Sequence, residues 1–302
     1  MELNLFILFL KCFDGIGDAS IRKMINNNCF NNLKIESTED VINWLKKNRI
    51  YFSKKFDSTN INVEMIKKVK DKRLAITSKL KEIGANFISY FDERYPQRFK
   101  EMINTNDYPV LLFYKGDISL LDSEKTCAII GTREPSNKTI DFGNEIAYEM
   151  TKKGYVVVSG LALGCDTIGH KSCLKAGGKT VAILGTGIDV VYPKENKELA
   201  KEILESNGLL VTEEIVGFKG ASYSFVNRDR LQASASDVVI ALETSSTGGT
   251  MHASRDAVKK YNKILYVLSP EVLPDGDTSG NKELINYFGA RTIKELKDLE
   301  QL

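Results

Sequence analysis

Two short apolar runs and the residues around them decide the fold: Cys127-Ala128-Ile129-Ile130-Gly131-Thr132-Arg133, a helical stretch over 138–153, and then Val156-Val157-Val158-Ser159-Gly160. Each run is too short for a helix, carries no polar alternation and stops at glycine, while the stretch between them repeats its apolar residues at helical spacing. Strands without polar alternation are buried on both faces, which calls for a parallel sheet with helices packed above and below it. Working outward, the unit recurs in Val181-Ala182-Ile183-Leu184, Leu209-Leu210-Val211, Val238-Val239-Ile240-Ala241-Leu242 and Ile264-Leu265-Tyr266-Val267-Leu268. Helices are predicted between them over 165–176, 195–206, 226–235 and 249–261. Two earlier strands are predicted at Asn86-Phe87-Ile88-Ser89-Tyr90 and Val110-Leu111-Leu112-Phe113-Tyr114, and Thr292 to Leu302 reads as a short closing helix.

The fold class is therefore α/β: an extended Rossmann-like, doubly wound, mostly parallel sheet over residues 85–302. Residues 1–84 read instead as a small helical domain of helix-hairpin-helix or SAM-like type. Its helices are expected at Leu3 to Phe13, Ile21 to Met24, Asp40 to Lys47 and Val63 to Ile83. The turn Gly15-Ile16-Gly17 either presents backbone N–H groups to a phosphate, as in such hairpins, or is a helix connection that needs positive φ.

Composition narrows the function classes. With 42% hydrophobic and 27% charged residues the 302-residue chain is an ordinary globular one, and no apolar run approaches the ~18 residues of a membrane helix. Glu2 stands where a signal peptide would be basic, so the first helix is read as part of a mature cytoplasmic protein. Five cysteines without a CxxC pair and two histidines, His170 and His252, disfavour a zinc site or a disulfide framework. No metal and no cofactor are expected. Residues 1–88 hold 16 Lys+Arg against 10 Asp+Glu, a surplus that suits a polyanion or simply a solvated helical surface.

In an open parallel sheet, ligands bind beyond the carboxyl ends of the strands. Four strands end there in small residues: Gly131-Thr132-Arg133, Ser159-Gly160 leading to Gly164, Gly185-Thr186-Gly187, and Thr247-Gly248-Gly249-Thr250. Together they describe a cradle for phosphate or sugar oxygens, since helix N-termini offer N–H groups to anions. Two nucleotide motifs fail by register: Cys173 occupies the first glycine position of a P-loop ending at Gly178-Lys179-Thr180, and Val190 the third glycine of a dinucleotide fingerprint starting at Gly185. Arg228 and Arg230 could grip successive phosphates or pair with Glu213 or Glu214. Glu243 could accept from a ribose hydroxyl or cap the next helix. Asp166 and His170, four apart, face one side of a helix, where packing outweighs acid–base work.

The order and spacing of these residues resemble the DprA/Smf family of DNA-processing proteins. The resemblance runs over roughly residues 5–300. It is carried by Gly15-Ile16-Gly17, Tyr95-Pro96, residues 109–117, Ile130-Gly131-Thr132-Arg133, Val158 through Asp166 with His170, Gly185 through Asp189 with Tyr192-Pro193 and Asn196, Phe225 with Arg228 and Arg230, and Gly280-Asn281 with Gly289-Ala290. It implies a non-catalytic single-stranded DNA-binding protein, commonly a homodimer, that hands DNA to a RecA-type recombinase in natural transformation or recombination. It also implies Gly131, Thr132, Arg133, Ser159, Gly160 and Gly164 as DNA- or phosphate-binding residues, with Arg228, Arg230, Gly248 and Gly249 added from the reading above. The chain is read as departing from the family in four respects: Arg228-Asp229-Arg230 replaces Arg-Asn-Arg, Gly164-Cys165-Asp166 replaces Gly-Ile-Asp, Thr247-Gly248-Gly249-Thr250 replaces a Ser-Gly-Ser or Ser-Gly-Thr turn, and the winged-helix domain that ends many members is expected to be absent. From a different class, the residues leave open a nucleotide or sugar-phosphate sensor, or a phosphoribohydrolase-like enzyme in defence signalling, because Thr247-Gly248-Gly249-Thr250 resembles part of the Pro-Gly-Gly-x-Gly-Thr signature.

Overall fold

The computed structural model describes residues 1–56 and 60–302, and the chain divides into two compact units, 1–95 with 106–112 and 96–105 with 113–302. The first unit holds α1 (Leu3–Lys11), α2 (Asp18–Asn26), α3 (Thr38–Asn48), α4 (Val63–Glu82) and β1 (Asn86–Ser89). α1 buries Phe6 through Leu10 completely, and Trp44 of α3 meets Phe6 edge-on at 5.0 Å. α3 begins with a reciprocal cap in which Asp40 N–H donates to Ser37 Oγ and Ser37 N–H to the Asp40 carboxylate. Gly15 has φ +89°, and a Cβ there would stand 2.6 Å from the Phe56 backbone nitrogen. The Gly15 turn is thus a close-packed helix connection that needs positive φ. Lysines of α4 are partly engaged within the unit, Lys70 with Thr38 Oγ1 and Lys72 with the Cys12 carbonyl.

The second unit carries α5 (Gln97–Lys100), β2 (Leu111–Gly116, whose first two residues belong to the first unit), β3 (Thr126–Ile130), α6 (Asn137–Lys152), β4 (Val156–Ser159), α7 (Cys165–Lys175), β5 (Thr180–Ile183) and α8 (Lys197–Glu205). It continues through β6 (Leu209–Thr212), α9 (Ser222–Ser234), β7 (Val238–Ala241), α10 (Thr250–Lys259), β8 (Ile264–Leu268), α11 (Ser279–Phe288) and β9 (Arg291–Ile293). These strands lie in the order β2-β6-β5-β4-β3-β7-β8-β9. All the pairings are parallel except β2 with β6. The chain winds from β3 outward through β4, β5 and β6, then returns to the other side of β3 with β7. That reversal leaves a crevice beyond the carboxyl ends of β3, β4 and β7.

Burial explains the unalternating strands. Along β3, Cys127 and Ile129 pack with Ile146 and Met150 on one face, while Ala128 and Ile130 pack with Met251 and Leu284 on the other. Every residue of β3 is buried, and the polar Thr126 at its start is accommodated by the hydrogen bond from its hydroxyl to the Asp237 carboxylate at 3.0 Å. Two elements differ from the sequence reading. The closing segment is a strand, β9, paired in parallel with β8 through Tyr266 and Arg291, followed only by a 3₁₀ turn at Leu296–Leu299. A three-residue strand is too short to show any periodicity. α9 begins at Ser222, four residues before the expected 226, because the Ser224 hydroxyl closes a cap on the Ala221 N–H. Among the described residues, no helix is long and apolar enough to cross a membrane.

Ile129 is the central side chain of this two-faced core. Ile129→Ala is expected to cost about 2–5 kcal/mol and Ile129→Val about 0.5–1.5, read as a graded fall in the urea midpoint at unchanged slope. Equal midpoints for the three proteins would contradict the placement.

Candidate nucleic-acid interface

The crevice is an open cavity of about 490 Å³. Its walls come from the β3–α6 turn (Gly131, Thr132, Arg133), the β4–α7 loop and first turn (Ala162, Asp166), one side of α9 and the start of α10 (Gly248, Gly249, Thr250). A smaller cleft of about 50 Å³ adjoins it, sharing Arg133 and Arg228 and reaching Gly160, Leu163 and Pro193.

Two buried carboxylates shape the turns from beneath. Glu243, at the end of β7, accepts from Ser136 N–H at 3.0 Å, Ser136 Oγ at 2.8 Å and Thr139 Oγ1 at 2.5 Å, at the N-terminus of α6. It is 4% exposed, and its own carbonyl accepts from Thr132 N–H at 2.7 Å. It serves neither role considered for it: a ribose hydroxyl has no access, and the helix it caps is α6, across the sheet edge, rather than the next helix α10. Asp166, in the first turn of α7, bends back to accept from Gly160 N–H at 3.1 Å and Ala162 N–H at 3.2 Å. Between those amides Leu161 sits at φ +61°, a left-handed conformation costing roughly 1–3 kcal/mol. It is held there by Asn196, whose amide donates to the Leu161 carbonyl at 2.9 Å and the Ala162 carbonyl at 3.1 Å.

The proposed site residues part company here. Gly131, Thr132, Arg133, Arg228, Gly248 and Gly249 meet around the cavity, and Gly160 joins through the adjoining cleft. Gly131 permits a close approach, since a Cβ there would lie 2.4 Å from Cys165 Sγ. Arg133 is exposed at the rim. At the start of α10 the Met251 and His252 N–H groups donate back to the Gly248 and Gly249 carbonyls, which leaves Gly249 and Thr250, both on the cavity wall, as the residues whose N–H groups face a ligand. Gly164, at φ +72°, seats α7 against the Thr132 carbonyl rather than lining the cavity. Ser159 is fully buried, and its hydroxyl donates to the Ile129 carbonyl at 2.6 Å. Arg230 is held by Glu213 at 2.6 Å with both side chains almost enclosed, so it is placed as a structural pair on α9. The Gly185 turn is filled: a Cβ there would meet the Phe225 ring at 2.6 Å. Of the four glycine turns, those at 131 and 248 face open space.

Arg228 is 6% exposed and lies flat over Gly160, where a Cβ would fall 1.1 Å from its Nη1. Its guanidinium reaches Asp166 at 3.7 Å and Asp229 at 3.6 Å. Gln232 completes the cluster, its amide oxygen accepting from Gly160 N–H at 2.8 Å and Arg228 Nη1 at 2.9 Å, its amide nitrogen donating to Asp229 at 3.2 Å. Burial pushes the Asp229 carboxyl up to about 7, with Arg228 and Arg133 opposing and Asp166 and Asp256 adding to the rise. His170 is fully enclosed, Nδ1 2.7 Å from Thr180 Oγ1, and burial drives its imidazole down to about 3, assisted by the charge of Arg228. An imidazole held neutral inside the core does packing work, as the sequence reading favoured.

Sequence reasoning missed Tyr192, Phe225 and Gln232 as cavity residues. Tyr192 is 49% exposed and stands 5.3 Å from Phe225, centroid to centroid, at the cavity mouth. A Tyr-Pro pair and a lone Phe outside the glycine turns carry no periodic signal; an exposed aromatic beside a glycine edge is the cue that was available. Among the described residues, no group of three His, Cys, Asp or Glu side chains could hold a metal ion.

Two glycine substitutions separate backbone from side-chain constraint. Gly164→Ala forces a Cβ within 2.4 Å of the Thr132 carbonyl at positive φ, so a loss of more than about 1 kcal/mol is expected in chemical denaturation. Gly160→Ala meets only the terminal guanidinium of Arg228 and not backbone, and is expected to lower stability less while expelling that group. Equal losses would contradict the geometry.

Residues 86–302 match the family model described as DNA recombination-mediator protein A. The DNA processing protein DprA of Bacillus subtilis is 31% identical over 219 residues, 72% of this chain and 71% of that protein. Among solved structures, DNA processing protein A of Helicobacter pylori, described for its single-stranded DNA binding mode, is 31% identical with a TM-score of 0.63, covering 72% of this chain and 94% of that one. DNA processing protein A of Streptococcus pneumoniae aligns over 100% of this chain and 98% of its own, at 25% identity and a TM-score of 0.76. By the match of residues 86–302 and the likeness to the Bacillus protein over more than two thirds of each chain, this protein belongs to the DNA recombination-mediator protein A family.

Proposed function

We propose that the chain is a non-catalytic single-stranded DNA-binding protein whose backbone-and-arginine rim takes the phosphates of an unpaired strand. The observation that carries this is the exposed Arg133 on the Gly131–Arg133 turn, across an open cavity from the N-terminus of α10. A guanidinium and oriented N–H groups recognise phosphate without reading sequence. Tyr192 and Phe225 at the mouth offer the stacking faces that sequence-tolerant binding of single strands uses. The Helicobacter relative, described as binding single-stranded DNA, supports the assignment. The enclosed, neutral His170 supports a binding rather than an acid–base role. The family description, a DNA recombination mediator, supports a role in recombination; we also propose that a homodimer in the cytoplasm delivers the strand to a RecA-type recombinase in recombination or transformation. We further propose Gly131, Thr132, Arg133, Gly248 and Gly249 as direct phosphate contacts and Gly160 and Arg228 as the floor beneath them.

The cavity volume favours one second reading, a nucleoside-phosphate site, because about 490 Å³ falls in the range of small-ligand pockets. Fluorescence anisotropy with a labelled oligothymidylate of about 20 nucleotides decides between them. Arg133→Ala is expected to weaken binding roughly 10- to 100-fold and to flatten the log–log salt slope by about 0.7. Unchanged affinity, preference for duplex, or displacement of the strand by micromolar nucleoside monophosphate would overturn the DNA reading.

A further inference from the structure

The cavity floor has an imbalance of charge. Two carboxyl groups, Asp166 and Asp229, share one buried guanidinium, with Arg228 Nη1 3.7 Å from the first and Nε 3.6 Å from the second. Their side chains are 8% and 13% exposed, so water does little to screen them. The two are not equivalent. Asp166 accepts from two main-chain N–H groups, whereas Asp229 has among the described residues only Arg228 and the Gln232 amide. A DNA phosphate entering this cavity adds a third negative charge close to Arg228 and Arg133.

We propose that Asp229 couples capture of a phosphodiester in the cavity to uptake of one proton. The inference rests on the single-stranded DNA reading. The proton comes from solvent and ends on the Asp229 carboxylate, forming its O–H bond. In the neutral form, Asp229 leaves the Arg228 and Arg133 charge to the phosphate. As an anion, it competes with the phosphate for both.

The groups facing Asp229 are Arg228 and Gln232 on α9, Asp166 on α7, Arg133 on the β3–α6 turn and Asp256 on α10. Asp256 is itself paired with Lys260 at 2.9 Å, which moderates its effect. In the unliganded protein, burial first, then Asp166 and Asp256 against the two arginines, place the Asp229 carboxyl at about 7. A bound phosphate adds negative charge and raises it further. The sign follows: affinity is fully present below about 7 and declines as pH rises through that value, by up to about tenfold per pH unit for one coupled proton. A change in physiological pH is therefore felt at a site without a titrating histidine on its walls.

The test measures the dissociation constant of oligothymidylate at pH 6 and pH 8 at constant ionic strength, for the full chain and for Asp229→Asn. The ratio between the two pH values is expected to be about 3–10 for the wild-type protein and near 1 for the variant. His252, exposed on α10, is common to both proteins, so the difference isolates Asp229. Calorimetry on the wild-type protein alone, in two buffers of different ionisation enthalpy at pH 7.5, is expected to show net proton uptake and does not depend on the variant folding. The same ratio in both proteins, or no proton uptake, overturns the inference while leaving DNA binding intact. Absence of DNA binding at both pH values overturns the functional reading and this one with it.

Discussion

The interface depends on two buried carboxylates that hold loop backbone in place from below. A parallel sheet ends in turns whose N–H groups lose their strand partners, and any that point inward must be satisfied. Asp166 takes the inward amides of Gly160 and Ala162, and Glu243 takes those at the start of α6. With these and the Thr132 N–H satisfied internally, the Arg133 guanidinium and the Gly249 and Thr250 amides at the start of α10 remain for a ligand. The strain of Leu161 and the close approaches at Gly131 and Gly164 are tolerated because this hydrogen bonding over-determines the loops.

The same arrangement divides the arginines by role. Arg133 stands at the rim, where removal should alter binding with little effect on the fold. Arg228 is packed into the floor, where its charge neutralises carboxylates and its plane needs a glycine beneath it. Arg230, one residue beyond Asp229, faces the opposite way toward Glu213. The alternation follows from helical geometry, since successive residues on α9 point about 100° apart.

Much of the fold was legible because burial on both faces leaves a strong imprint: β3, β4, β7 and β8 are short, apolar and separated by helices of matching length. β9 was read as helix, since three residues cannot declare a period. In the site, glycine turns marked the correct edge of the sheet, but turn chemistry alone cannot say whether a glycine exists for a ligand or for a neighbour. Gly185 accommodates Phe225, Gly160 accommodates Arg228, and the Ser159 hydroxyl serves β3. Those contacts join residues 40–70 positions apart, or an adjacent strand, which no local pattern encodes. Gln232 went unnoticed because, besides Arg228 and Asp229 on its own helix, it binds the Gly160 amide 72 positions away.

The most direct test of the account is the structure of the protein with a bound oligothymidylate. Phosphate oxygens are expected within hydrogen-bonding distance of the Arg133 guanidinium and of the Gly249 and Thr250 N–H groups, with a base against Tyr192. A strand bound elsewhere, with this cavity unchanged and without phosphate, would contradict it.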